Sequence, residues 1–412
     1  QFCSEETARR MAVSAWHRAF QQLQKSGSPE NTAGLSRLFG FSMTATLATS
    51  REHRGEHRAF AAIHTAEQTI SWKLTLPKGQ QTRAEEESAV ADWALKLLGE
   101  YSGLQPSQTP PVSKVMAPKE WSRILTGELP FAVIHRDGRI TETLPDGTVG
   151  VFPGSFHPIH AGHCEMHRCA EKLLSGTVLP EIAIRNADKP PLDYVSIDER
   201  ICQIFAEPNF SGDCILLTGL PFFTMKSAYF RNQTFVVGMD TLTRIADAKY
   251  HFGEPILLER SHRILQENGA RFLVFGRMKK NTDGEGFENF DPRRFPSVLA
   301  ALCTGVSESE FRNDLSSTQI RQKLSANGKI PPMREKLRIY PKKKFFLTGK
   351  HLTPAGDSSK IKESGLPAGT NWEIRKITQS VLPFSPPPTG TFPLRTFPPV
   401  RFWIGEKSGS NF

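Results

Sequence analysis

The densest group of chemically useful side chains lies within residues 149–163. An apolar run, Val149 to Phe152, is followed by a Pro-Gly-Ser turn and then by two histidines, His160 and His163. A strand that ends at the N-terminus of a helix commonly binds phosphate, because free backbone N–H groups and the helix dipole face the ligand. Imidazole donors add to this arrangement, so the segment predicts binding of a nucleotide polyphosphate.

A second cluster, made of hydroxyl groups, occurs much later in the chain. Ser316, Ser317 and Thr318 stand at a predicted helix start, and Arg321 follows one turn later. Hydroxyls and N–H groups there can bind terminal phosphates, and the guanidinium adds charge-assisted hydrogen bonds. Alone, Ser-Ser-Thr is an ordinary N-cap. Its position after the first cluster, in the same alternating pattern of strands and helices, favours phosphate binding.

Together the two clusters resemble the signatures of the nucleotidylyltransferase superfamily. Phe156–His163 is similar to its HxGH signature, and Leu315–Arg321 is similar to its ISSTxIR signature, with Leu in place of the first Ile. The superfamily includes mononucleotide and pantetheine-phosphate adenylyltransferases and small cytidylyltransferases. The resemblance covers roughly residues 148–327. It departs from the family at His157, where Asp or Asn is usual.

The resemblance implies transfer of AMP from Mg²⁺-bound ATP to a phosphate-bearing acceptor, with release of pyrophosphate. The catalytic residues it implies are His160, His163 and Arg321. The nucleotide-binding residues it implies are Gly154, Ser155, Phe156, Gly162, Gly238, Asp240, Ser316, Ser317 and Thr318. No protein metal ligand is implied, since Mg²⁺ enters with ATP.

The segment Thr234–Leu242 concerns the acceptor. It resembles the strand and Gly-x-Asp segment of the mononucleotide adenylyltransferases, in which Gly238 and Asp240 would line the adenosine and ribose pocket. We therefore expect nicotinamide or nicotinate mononucleotide as the acceptor, against the competing interpretation of Asp240 as a simple N-cap. Lys189 and Lys226 follow the second and third predicted strands and are the candidate substrate-binding residues.

Three other functions remain open. A cytidylyl- or pantetheine-phosphate-type transferase carries the same superfamily motifs. A non-catalytic nucleotide-binding scaffold would tolerate the change at His157. A metal-dependent hydrolase would use His163 and His167, which lie one helical turn apart, although Glu165 does not stand where an HExxH motif has it.

Composition favours several globular domains. The 412 residues are 38% hydrophobic and 23% charged, and no segment approaches the length of a membrane span. The net charge of +10 is uneven, because 14 of the 52 basic but only 5 of the 42 acidic residues lie from Arg334 onward. The rest of the chain is nearly neutral, so neither nucleic acid nor a membrane is an expected partner.

The N-terminal residues and the cysteine spacing indicate the cellular compartment. The six cysteines have no CxxC spacing, and no signal-peptide pattern precedes the first helix, which together predict reduced thiols and a cytoplasmic location. The first residue is Gln1 rather than Met, which indicates a fragment and leaves an organellar location open.

The chain divides into four predicted segments. Residues 1–104 form an α+β unit of a helix, three strands and a second helix, and are a candidate for homo-oligomer contacts. Residues 105–120 are a Pro- and Ser-rich linker. Residues 121–333 alternate short apolar strands with helices, which predicts an α/β fold with a Rossmann-like parallel sheet. The predicted elements include a hairpin at 132–141 that turns at Asp137-Gly138, helices at 161–174 and 197–206, and a strand at 214–218. Residues 334–412 form a Pro-rich basic tail that we expect to be disordered.

The first of these segments resembles the CinA C-terminal domain, a family that contains nicotinamide-nucleotide amidases. The matching stretches are Ser4–Ala12, Thr44–Ala48, Gly55–Arg58 and Arg83–Glu87. The upstream segment that carries the family's serine nucleophile has no counterpart here, and residues 49–54 replace its Gly-rich phosphate loop. We therefore carry over no catalytic residue to this unit.

Overall fold

A computed structural model describes most of the first 313 residues. The described residues are 2–25, 35, 37–50, 54–187, 190–251, 253–281 and 284–313. In these ranges the chain has a mixed α/β fold with nine α-helices and two main sheets. None of the helices in this part of the chain combines the length and the apolar composition that spanning a bilayer requires.

The N-terminal unit is an antiparallel sheet with a helix on each face. Its strands pair in sequence order: β1 (Gly40–Thr46), β2 (Arg58–His64), β3 (Gln68–Thr75) and β4 (Ser113–Met116). Its helices are α1 (Glu5–Lys25) and α2 (Arg83–Tyr101). Successive side chains of a strand point to opposite faces. Ala62 of β2 accordingly packs with Ala12 of α1, whereas Ile63 packs with Leu97 of α2.

β4 lies inside the segment predicted as a linker. Its residues pair with β3 from Gln68 to Ser71, and a short helix, α3 (Lys119–Thr126), follows almost at once. The Pro- and Ser-rich composition of 105–120 predicts no strand, because four residues are too few to show an alternation of apolar and polar side chains. The N-terminal unit therefore extends beyond residue 104 and leads directly into the second sheet.

The second sheet has eight strands. They are β5 (Phe131–His135), β6 (Ile140–Thr141), β7 (Thr148–Pro153), β8 (Thr177–Ala183), β9 (Cys214–Thr218), β10 (Thr234–Gly238), β11 (Arg271–Phe275) and β14 (Cys303–Val306). Their order across the sheet is β14-β11-β10-β7-β8-β9-β5-β6. The six strands from β14 to β9 are parallel, whereas β5 runs antiparallel to β9. The predicted parallel sheet is thus mixed, because the hairpin at 131–141 adds to its edge.

Helices connect most of the parallel strands. They are α4 (Ala161–Leu174), α5 (Tyr194–Ala206), α6 (Phe223–Tyr229), α7 (Met239–Ile245), α8 (Pro255–Glu267) and α9 (Ser297–Ala300), with a hairpin of β12 (Arg277–Asn281) and β13 (Gly284–Glu288) after β11. The helix predicted at 161–174 is confirmed at both ends. The one predicted at 197–206 begins three residues earlier, because the Asp193 side chain accepts from the Ser196 N–H and caps it.

The N-terminal unit and the second sheet share one apolar core. Trp16 of α1 lies in the same buried cluster as Trp121 of α3 and Tyr194 of α5. Tyr194 also donates its hydroxyl to the Ala66 carbonyl at 2.5 Å and its N–H to the Thr69 hydroxyl at 3.1 Å. These contacts fix the start of α5 on the N-terminal unit.

His64 sits in this shared core, and its titration should make stability depend on pH. Its ring is fully buried against Trp16 and Tyr194, and burial lowers its pKa to about 4. Between pH 6.5 and pH 4, the His64 ring is protonated in the unfolded chain but remains neutral in the folded chain. The free energy of unfolding should therefore fall by up to about 3 kcal/mol as the pH drops from 6.5 to 4.

Urea unfolding between pH 7 and pH 4 measures this loss. We expect His64→Gln to be less stable at pH 7 but to lose less stability as the pH falls, because glutamine does not titrate. Equal pH slopes for the two folded proteins would contradict the assignment.

Candidate functional site

The order of the parallel strands reverses between β7 and β10. The chain adds β8 and β9 on one side of β7, and then β10 and β11 on the other. β7 and β10 pair with each other only through Gly150 with Thr234 and Val151 with Phe235, so their carboxyl-terminal ends are not paired with each other. In open α/β sheets, the crevice at such a reversal is where ligands bind.

A tight turn leaves β7 on one side of this crevice. The Gly154 N–H donates to the Glu181 carbonyl at 3.0 Å, and Phe156 adopts a left-handed φ of 41°. The Phe156 ring is 1% exposed and covers Gly154, where an added Cβ would lie 2.4 Å from it. Gly154 is thus required by packing, and Phe156 offers the site its backbone rather than its ring. The exposed Ser155 stands between them.

His160 and His163 lie at the start of α4, as the sequence predicts. Their ring centroids are 3.7 Å apart, and the His163 ring packs edge-on against Phe156 at 5.2 Å. Burial, together with the neighbouring His160, lowers the pKa of His163 to about 3, and burial also lowers the pKa of His160. Both rings are therefore neutral at pH 7.

The His163 ring keeps hydrogen-bonding capacity for a ligand. Its Nδ1 is buried and makes no hydrogen bond to any described residue. A neutral imidazole carries one N–H donor, and the N–H groups of the first two residues of α4, Ala161 and Gly162, have no acceptor within the helix. The pair can thus offer several N–H donors to one anion without the repulsion of two charged rings.

Asn313 occupies the space beside Gly162. An added Cβ there would lie 2.7 Å from the Asn313 Oδ1, and the Asn313 Nδ2 donates to the Glu165 Oε2 at 2.7 Å. The sequence attributes this glycine to close approach of a ligand, whereas the structure shows close approach of an amide side chain. The predicted residues Lys189, Ser316, Ser317, Thr318 and Arg321 lie outside the described residues.

Gly238 and Asp240 form the other side of the crevice. Gly238 ends β10, and an added Cβ there would meet nothing within 4 Å, so this position faces open space. Asp240 is exposed in the first turn of α7 and forms an ion pair with Arg277, which also approaches Glu288 at 3.6 Å. Sequence reasoning missed Arg277, although its position just after a predicted strand placed it at this edge of the sheet.

Lys226 does not face the crevice. Its side chain is 4% exposed, and its ammonium pairs with Glu181 in the interior, where the Thr218 hydroxyl donates to the same carboxylate oxygen. The sequence predicts a substrate contact for Lys226, and the structure places its ammonium in a buried ion pair. Its partner Glu181 lies on β8, which is distant from α6 in the sequence, and the Glu181 side chain faces α6.

The contacts of His167 are with residues other than His160 and His163. Its Nε2 lies 2.6 Å from the Val178 carbonyl, and its ring packs on Phe210. In the described ranges, no group of three or more His, Cys, Asp or Glu side chains is arranged to hold a metal ion. No protein-family model matches the chain, and no curated protein matches its sequence.

Proposed function

We propose that the protein is a nucleotidylyltransferase with a Rossmann-like fold, which transfers AMP from ATP to a pyridine mononucleotide. The observation that carries the proposal is the close, neutral pair of His160 and His163 at the N-terminus of α4. This pair stands beside the crevice at which the strand order reverses. Backbone N–H groups, the helix dipole and two imidazoles then converge on one anion.

In this reaction a phosphate oxygen of the acceptor attacks the α-phosphorus of ATP in line. The new P–O bond forms as the bond from the α-phosphorus to the bridging oxygen breaks, and pyrophosphate leaves with the bonding electrons. His160 and His163 donate N–H groups to the leaving phosphates, where negative charge develops. Mg²⁺ enters bound to ATP and neutralises phosphate charge. The protein positions the reactants, so no covalent intermediate is required.

The far side of the crevice supports binding of a nucleoside. The open space at Gly238 can admit a ligand close to the backbone, and the Asp240 carboxylate can accept hydrogen bonds from ribose hydroxyls. Asp240 would then exchange its bond to Arg277 for bonds to the ligand. The resemblance of Thr234–Leu242 to the mononucleotide adenylyltransferases favours nicotinamide or nicotinate mononucleotide as the acceptor.

The second predicted cluster is compatible with the same site. Asn313 contacts Glu165 and lies against Gly162, beside the first cluster. Ser316 follows Asn313 by three residues. Ser316, Thr318 and Arg321 are our candidates for holding the β- and γ-phosphates, while His160 and His163 act at the leaving group.

A coupled pyrophosphate assay tests the proposal. The purified chain is mixed with Mg²⁺ and either ATP or CTP, and with nicotinamide mononucleotide, nicotinate mononucleotide, phosphopantetheine or choline phosphate. We expect pyrophosphate release with ATP and a pyridine mononucleotide, in step with formation of the dinucleotide. Inorganic phosphate in place of pyrophosphate would indicate hydrolysis. Binding of ATP without pyrophosphate release from any pair would contradict the proposal.

A further inference from the structure

Helix α5 joins the N-terminal unit to the turn that carries the histidines. Its first turn, at Asp193 and Tyr194, is bound by α1 and by the segment between β2 and β3. Further along the same helix, Arg200 donates to the Ser155 carbonyl in the turn after β7. One helix therefore holds two regions that are distant in sequence.

The contact at the start of α5 is a buried ion pair. Arg9 of α1 is 4% exposed, and its Nε lies 3.1 Å from the Oδ1 of Asp193, which is 1% exposed. The Asp193 carboxylate also accepts the Ser196 N–H at 3.0 Å and so caps the helix. Arg9 approaches Glu199 at 3.6 Å as well. The N-terminal unit thus supplies the cation that neutralises the helix cap.

The second contact of α5, made by Arg200, fixes the backbone of the turn after β7, which precedes His160 and His163. The Arg200 Nη1 lies 3.0 Å from the Ser155 carbonyl oxygen. Because a peptide unit is planar, this bond orients the whole Ser155–Phe156 peptide. The next rotation along the chain is the left-handed φ of Phe156, which L side chains rarely adopt. The Phe156 ring in turn packs on His163.

We propose that Arg200 is a positioning residue for the nucleotide site and that the N-terminal unit controls it through α5. Arg9 sets the start of this helix, and Arg200 transmits its position to the peptide before Phe156. The N-terminal unit is then part of the nucleotide-binding machinery. That the bound ligand is ATP rests on the proposed function, whereas the coupling from Arg9 to the histidines rests on the contacts alone.

Nucleotide affinity provides the first test. We expect Arg200→Gln and Arg9→Gln each to weaken MgATP binding about tenfold in calorimetry, the effect of losing one hydrogen bond to a charged group. The KM for ATP should rise more than kcat falls, and Arg200→Lys should recover part of the loss because it keeps a donor. Arg18→Gln is the matched control, since Arg18 is an exposed arginine further along α1.

Imidazole NMR spectra provide a test that requires no nucleotide. In protein labelled at histidine, Arg200→Gln and Arg9→Gln should shift the ring signals of His160 and His163 and leave that of His135 in place. If Arg9→Gln fails to fold, Tyr194→Phe loosens the same helix start by removing the bond to Ala66.

The two readouts separate the two proposals. Failure of the unmodified chain to bind MgATP would overturn the proposed function, and the NMR spectra would still decide the coupling. Unchanged histidine signals and unchanged MgATP affinity in folded Arg200→Gln and in the folded variant at the start of α5 would overturn the coupling alone.

Discussion

We expect replacement of His163 with alanine to lower kcat for the proposed pyrophosphate release by about 100- to 1,000-fold, the usual effect of removing one donor to a developing anion. The ring stands 3.7 Å from His160 with an Nδ1 that has no hydrogen bond in the described part of the chain. Its loss would remove the proposed donor to the leaving phosphate and should leave the turn after β7 in place. Steady-state kinetics at saturating MgATP and acceptor measures the effect.

Two controls show whether this loss is chemical. Circular dichroism and thermal unfolding should show that His163→Ala is folded, since His163 lies in helix α4 and alanine has the highest helix propensity. His135→Asn is the matched histidine change, because His135 pairs with Cys214 at the start of β9, the edge of the sheet opposite the crevice. Equal activity of His163→Ala and His135→Asn would refute the role of His163.

Local sequence patterns predicted the elements that position the site. The helix at Ala161–Leu174 follows from its apolar spacing and from the turn before it, and the strand at Cys214–Thr218 follows from its continuous apolar run. Both signals lie within a few residues, so the sequence alone contains them. The same holds for the hairpin at 131–141, whose Asp-Gly turn is a strong local signal.

Contacts between distant segments escaped prediction. The pairing of β4 with β3 and the pairing of β5 with the edge strand β9 depend on which strand edge is free, and no local pattern reports that. The space beside Gly162 is filled by Asn313, and the cap at Asp193 is neutralised by Arg9. The residue types indicate that Gly162 has a close neighbour and that Asp193 can cap a helix. The identity of each partner depends on the tertiary fold.

Lys226→Met should destabilise the protein by about 3–5 kcal/mol, the usual cost of removing one partner of a buried ion pair. The variant leaves the Glu181 carboxylate, 1% exposed, without its cation. Its Oε2 already has no hydrogen-bond partner within the described residues, so only the Thr218 hydroxyl would remain beside the charge. The free energy of unfolding in urea measures the change.

The double variant Glu181→Leu with Lys226→Met decides between a structural and a substrate-binding role for Lys226. Replacing both charges with apolar side chains of similar volume is often neutral for stability, so part of the lost free energy should return. The Thr218 hydroxyl still loses its acceptor, which leaves a residual cost of about 1–3 kcal/mol. If Lys226 serves only the ion pair, KM for the acceptor should recover together with stability. If stability returns but KM for the acceptor stays high, the ammonium contacts substrate, and α6 must then move during binding to bring it out of the core.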